Sequence, residues 1–180
     1  DTQTSRGLGD VYKRQGSHGL VSFSPDSKYL ITAMQENEIH AWRLRDKDNL
    51  KMSGYPAKVK SFDWVGNTPY LVTSGANQAI CWPFDGKDGP KGRKPICVAD
   101  GGKQYSTFIK SLPDEEAIFT GFRDGTVLLS EIDENKNANI IRNPTGAEVT
   151  TIALTSDRSH ILIGDSKGSI LWSTLWAGRE

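Results

Sequence analysis

Residues 149–175 read VTTIALTSDRSHILIGDSKGSILWSTL. Two apolar runs, Val149–Leu154 and His160–Ile163, flank the pair Ser156-Asp157. Such pairs form turns, because Asp and Ser side chains bond their own backbone. The stretch Gly164-Asp-Ser-Lys-Gly168 then leads to a third run at Ile170. Glycines there supply the positive φ that a tight hairpin needs. The unit is strand, turn, strand, hairpin, strand, and it is rich in the residues that strands prefer.

Working outward, the unit recurs three more times. One column runs Phe23, Trp64, Ser111, Leu154, and two residues earlier stand Val21, Phe62, Ile109 and Ile152. Turn formers follow at Pro25-Asp26, Gly66-Asn67, Pro113-Asp114 and Ser156-Asp157. The next apolar column is Leu30, Leu71, Ile118, Ile161, with spacings of 41, 47 and 43 residues. Ile39, Ala79, Val127 and Ile170 form another, and Leu44, Phe84, Ile132 and Leu175 a last one, spaced 40, 48 and 43. A period in the forties marks a repeat architecture, each copy one supersecondary unit.

The copies predict first strands at Val59–Trp64 and Val149–Leu154, and second strands at Tyr70–Ser74 and His160–Ile163. Third strands are expected at Ile39–Leu44, Ala79–Phe84 and Val127–Ile132. Fourth strands are expected near Leu50–Met52, Ile96–Val98 and Asn139–Arg142. Runs such as Ile80-Cys81-Trp82 are apolar on both parities, the pattern of a sheet covered on both faces. Sheets stacked radially as blades provide that cover. The reading is all-β, with four-stranded antiparallel blades at about 16–53, 54–100, 101–143 and 144–180.

Length and composition agree. The 180 residues carry 22 basic and 22 acidic side chains, so no charge excess argues for nucleic acid or an anionic membrane surface. No apolar run reaches the 18 to 20 residues of a membrane span. Two cysteines are too few to build a disulfide framework. Residues 1–15 lack apolar periodicity. The string Asp10-Val-Tyr-Lys-Arg-Gln15 resembles a translated sequencing adapter, so this leader is expected to be non-native or disordered.

Phe23-Ser-Pro-Asp-Ser-Lys-Tyr-Leu30, Trp42 and the Phe-Arg-Asp-Gly-Thr-Val run at 122–127 resemble the WD-repeat family of β-propellers. More narrowly, Gly54-Tyr-Pro-Ala-Lys-Val59, Trp82-Pro-Phe and Gly86-Lys-Asp-Gly-Pro90 look like a bacterial group of that family without a well-defined activity. The resemblance implies a β-propeller, usually of seven blades, acting as a scaffold for protein contacts. Four blades here would be part of such a ring, and the missing N-terminal part would hold its closing strand. The Trp-Asp dipeptide is replaced at all four positions, by Trp42-Arg43, Trp82-Pro83, Ser130-Glu131 and Ser173-Thr174.

No zinc spacing, nucleophile elbow, phosphate loop or His-Glu-x-x-His motif appears. No catalytic residue, cofactor or metal ligand is assigned. His18, His40 and His160 read as surface or satisfied interior side chains. An enzymatic propeller, a hydrolase or dehydrogenase with a metal or quinone near its axis, would need inward carboxylates. Asp63 stands alone at that place, against Ser22, Lys110 and Ala153. Cys81 and Cys97 flank a hairpin centred on Gly89. They could face one another, although two reduced thiols are the preferred reading. Trp42, Trp82 and Trp172 stand on strand columns and are expected to pack. The basic loop Asp85–Pro95 reads as solvated. Protein-contact candidates are Tyr55, Lys58, Tyr105 and Arg123, on the loops that lead into first strands and on the second-to-third hairpins. The expected location is the cytoplasm, and the expected partner a protein.

Overall fold

A computed structural model describes residues 16–65 and 69–175. The described residues form fifteen strands and no helix. The first sheet holds β1 (His18–Phe23), β2 (Tyr29–Met34), β3 (Ile39–Arg43) and β4 (Asn49–Met52). The second holds β5 (Phe62–Val65), β6 (Tyr70–Thr73), β7 (Ala79–Pro83) and β8 (Ile96–Val98). The third holds β9 (Ser106–Ser111), β10 (Ala117–Phe122), β11 (Val127–Glu131) and β12 (Asn139–Arg142). The fourth shows β13 (Val149–Leu154), β14 (His160–Asp165) and β15 (Ile170–Thr174). Every sheet is an antiparallel meander in chain order.

The sequence columns are one register position of the blade. Phe23 pairs with Leu30 and Leu30 with Trp42. Trp64, Leu71 and Trp82 repeat this row in the second blade, Ser111, Ile118 and Ser130 in the third, and Leu154, Ile161 and Ser173 in the fourth. Side chains on one face of a strand recur every second residue, so each row lies on a single sheet face. That face meets the preceding blade.

Three cores follow, one in each gap between successive blades. Tyr29, Ile31, Ala41 and Met52 of the first blade meet Leu71 and Phe84 of the second, with Trp64 and Trp82 against them. Val72, Cys81 and Val98 meet Ile109, Ile118 and Leu128. Phe119 and Val127 meet Val149, Ile152, Ile161 and Ile163. At roughly 25 cal/mol for each Å² of apolar surface removed from water, these shared interfaces supply the cohesion that single sheets lack.

One predicted first strand starts later than expected. Val59 is buried, but Lys60 and Ser61 give their N–H groups to Ser74 Oγ, at 3.1 and 3.0 Å. A side-chain hydroxyl has replaced the strand partner, and pairing begins only at Phe62. The leader 1–15, the turn at Gly66-Asn67 and Trp176 lie outside the described residues.

Candidate functional site

One rim of the arc is built from the hairpins between second and third strands and the loops that lead into first strands. Backbone hydrogen bonds join the two sets. Gln35 N donates to Ser17 O, Ala57 N to Gly75 O, Arg123 N to Tyr105 O, and Ser166 N to Glu148 O. Others cross to the next blade, from Gly101 N to Asn77 O and from Thr145 N to Asp124 O. The rim loops are thereby held as one surface, and a rigid surface loses little entropy on binding.

Two of the four contact candidates meet there. The Arg123 guanidinium carbon lies 5.4 Å from the centre of the Tyr105 ring, a cation–π arrangement. Arg123 is exposed and Tyr105 half-buried. Lys58 is exposed on the same rim, in the loop before the second blade.

Tyr55 is different, and its expected role as a surface contact is overturned. It is buried, its hydroxyl 2.8 Å from Thr73 Oγ1 and accepting a 2.6 Å hydrogen bond from Trp82 Nε1. Burial pushes its phenol up to about 12. A linker between Gly54 and Pro56 reads as exposed, yet an aromatic with a polar tip suits the space between two blades when that tip finds partners. The sequence signal was Trp82 itself, an indole whose N–H needs an acceptor.

The axial strands hold no free carboxylate at the position considered for an enzyme. Asp63 Oδ2 accepts from Ser111 N at 2.9 Å, Ser111 Oγ at 2.8 Å and Lys110 Nζ at 3.3 Å. It ties the second blade to the third. Lys60 and Glu148 form an ion pair between the loops that lead into β5 and β13. Among the described residues, no group of three His, Cys, Asp or Glu side chains could hold a metal ion.

The loop Asp85–Pro95 is largely exposed, and two of its charged residues, Asp88 and Arg93, are held in ion pairs. Arg43 Nη1 donates to Asp88 at 2.8 Å, Nε to Asp46 at 2.9 Å and Nη2 to Asp48 at 3.2 Å. Asp46 is held at about 2, chiefly by its hydrogen bond from Arg43. Arg93 is paired with Asp85 at 2.6 Å. This cluster clasps the outer hairpins of the first two blades through Asp88, while Lys87 and Lys94 of the loop are exposed.

The remaining singled-out residues are structural or open. His40 is buried, with Nδ1 3.0 Å from Asn49 Oδ1 and Nε2 3.2 Å from Glu38 Oε1. Trp42 and Trp82 pack as expected, whereas Trp172, on the last described blade, is exposed. Cys81 and Cys97 are both free thiols.

No protein-family profile matches the chain. Curated relatives do. A LEC14B homolog of Prunus armeniaca is 26% identical over 113 residues, 62% of this chain and 24% of that protein. The angio-associated migratory cell protein of Homo sapiens is 22% identical over 147 residues, 80% of this chain and 32% of that protein. The chain thus spans about a quarter to a third of the length of these relatives. Among solved structures, the Cps50 (Swd1) β-propeller domain of Myceliophteria thermophila superposes with a TM-score of 0.66 at 16% identity. The match covers 90% of this chain and 53% of that one. The fold is that of a β-propeller. A chain of the Mitotic Checkpoint Complex matches this propeller with a TM-score of 0.68 at 15% identity, over 89% of this chain and 49% of that one. Among the described residues, no helix is long and apolar enough to cross a membrane.

Proposed function

We propose that this propeller is a non-enzymatic scaffold that binds a protein partner through the rim carrying Lys58, Tyr105 and Arg123. One observation carries the reading: the exposed Arg123 guanidinium is held over Tyr105 on loops already cross-linked by backbone hydrogen bonds. Arg and Tyr are the side chains that anchor interface centres, because each offers large contact area with a polar end. A matching structure that is part of a protein complex supports the same use of the fold. The engagement of Asp63 with Ser111 and Lys110 speaks against an axial catalytic carboxylate.

The test is affinity capture with three forms of the full chain in parallel: wild type, Tyr105→Ala with Arg123→Ala, and Lys87→Ala on the opposite rim. The reading expects the double variant to lose a defined set of partners that Lys87→Ala retains. Identical partner sets from all three forms would refute it.

A further inference from the structure

Ile140, on the outermost strand of the third blade, is 64% exposed. It stands opposite Leu128 in the register of β11 and β12. Directly opposed residues share a sheet face, and Leu128 is buried in the core between the second and third blades. Ile140 thus faces the second blade, whose outer strand β8 is three residues long, and it stays in water. In front of it runs a groove of about 580 Å³ along the seam between these two blades. It extends from Gln78 and Asp100, beside the rim loops, to the hairpin that joins β11 to β12. Val98, Leu128, Ala138 and Ile140 give it an apolar wall. The Cys97 N–H donates to Glu134 Oε1 at 3.3 Å, which ties the two sides together.

The charge along this groove is one-sided. Asp100, Asp133 and Glu134 line it, and Lys136 is the cation beside them. Lys136 is already paired with Glu131, which lies off the groove. Among the described residues, none of the three carboxylates forms an ion pair. They do not converge as metal ligands either, since no group of three such side chains could hold an ion. Negative charge spread along an apolar trough suits a chain with several cationic side chains, not a single ion. We propose that the groove docks an extended peptide segment of a partner protein, with an apolar side chain on Ile140 flanked by lysine or arginine. Its volume falls within the roughly 300–1,000 Å³ of ligand sites. An apolar patch rimmed by polar groups marks a docking surface. The apolar contact holds the segment, and the carboxylates select its sign of charge. The groove does not include Lys58, Tyr105 or Arg123, so it stands whether or not the rim binds a partner.

The experiment is fluorescence polarisation of the full chain with three pools of short fluorescein-labelled peptides. In the first, lysines and arginines flank a central leucine. In the second, the same basic residues flank a central serine. In the third, aspartates and glutamates flank a central leucine. The first pool should bind, and each of the others should bind at least about tenfold more weakly. Ile140→Ser and Asp100→Lys should each weaken the first pool about tenfold. Raising the salt from about 0.05 to 0.5 M should also weaken it, because exposed carboxylates are screened. Tyr105→Ala with Arg123→Ala should bind this pool like the wild type, which separates the groove from the rim. Ile140 and Asp100 are both exposed, so the variants should keep their β-sheet circular dichroism. If Ile140→Ser loses it, Asp100→Lys carries the test alone. The proposal is overturned if the first pool does not bind the wild type, or if the serine-centred or acidic pool binds as well. Undiminished affinity in the folded groove variants overturns it too. Loss of binding in the rim double variant alone would assign the peptide to the rim instead.

Discussion

Arg142 Nη2 donates to Asp165 Oδ2 at 2.6 Å, and this pair locks the outermost strand of the third blade to the hairpin of the fourth. The two side chains are 9% and 2% exposed. The other carboxylate oxygen accepts the N–H groups of Lys167 and Ser169, each at 3.0 Å. One carboxylate thus shapes its own hairpin and docks it on the neighbouring blade.

The Arg142 hydrogen bond is the chief cause that holds the Asp165 carboxyl below its ordinary value. A carboxylate with a depressed folded pKa adds stability above its unfolded pKa of about 3.9, and that stability is lost as pH falls through the folded value. Asp165→Asn should therefore lower the melting temperature at pH 7. It should also lose less melting temperature than wild type between about pH 5 and pH 2. Thermal unfolding across that range checks both, and parallel curves for the two proteins would contradict the assignment.

Tyr55 predicts the opposite slope at high pH. Its phenol is pushed up to about 12 by burial. A group whose folded pKa is raised contributes stability that is complete below its unfolded pKa, about 10 for Tyr, and that declines as pH rises toward the folded value. The decline should amount to roughly 2 kcal/mol across that window. Tyr55→Phe should lack this share of the alkaline loss. At neutral pH it should be less stable by about 1–3 kcal/mol, because Trp82 Nε1 and Thr73 Oγ1 lose a buried partner. Denaturant melts at pH 7 and pH 11 measure both effects.

Blade architecture was legible because packing repeats: Leu30, Leu71, Ile118 and Ile161 had to be apolar wherever a blade covers them. Strand limits were legible where Gly and Asp mark turns. They were not legible at Lys60-Ser61, where Ser74, thirteen residues beyond Ser61, takes the two N–H groups. The site was half legible. Tyr105 and Arg123 were found as loop residues, but their stacking depends on register across a hairpin. Tyr55 was misplaced because loop membership says nothing about which way a side chain turns. The Arg43 clasp joins residues 45 positions apart through side chains alone, and no local pattern announces it.

Gly125 closes the hairpin of the third blade at φ +95°, a region that side chains rarely adopt. A Cβ there would stand 2.2 Å from Thr145 Oγ1 and 2.8 Å from the Ala147 carbonyl oxygen. Gly146 has a φ of +73° but nothing within 4 Å of its would-be Cβ. Gly146→Ala should then cost about 1–2 kcal/mol from backbone strain alone. Gly125→Ala should cost distinctly more, since the Ala147 backbone has to move. Paired urea melts give the comparison, and equal losses would mean that the clash is relieved without cost.

The two cysteines differ in reach, and their chemistry should follow. Cys81 stands opposite Ile96, and Cys97 opposite Ile80. Adjacent strand positions point to opposite faces, so this offset of one residue turns the thiols apart. Cys81 is buried in the core between the second and third blades, and burial pushes its thiol far up. Cys97 is half-buried, and its thiol is raised by burial and by Glu134. The thiolate is the reactive form, so both sites should alkylate more slowly than a free thiol at pH 8. Cys97 should be modified first, and Cys81 only when the blades separate, so its rate should track unfolding. Peptide mapping after timed iodoacetamide treatment distinguishes the sites. Cys81 labelling as fast as Cys97 in the native chain would show that the core opens on that timescale. Absence of both thiols after non-reducing denaturation would show that a bridge has replaced this register.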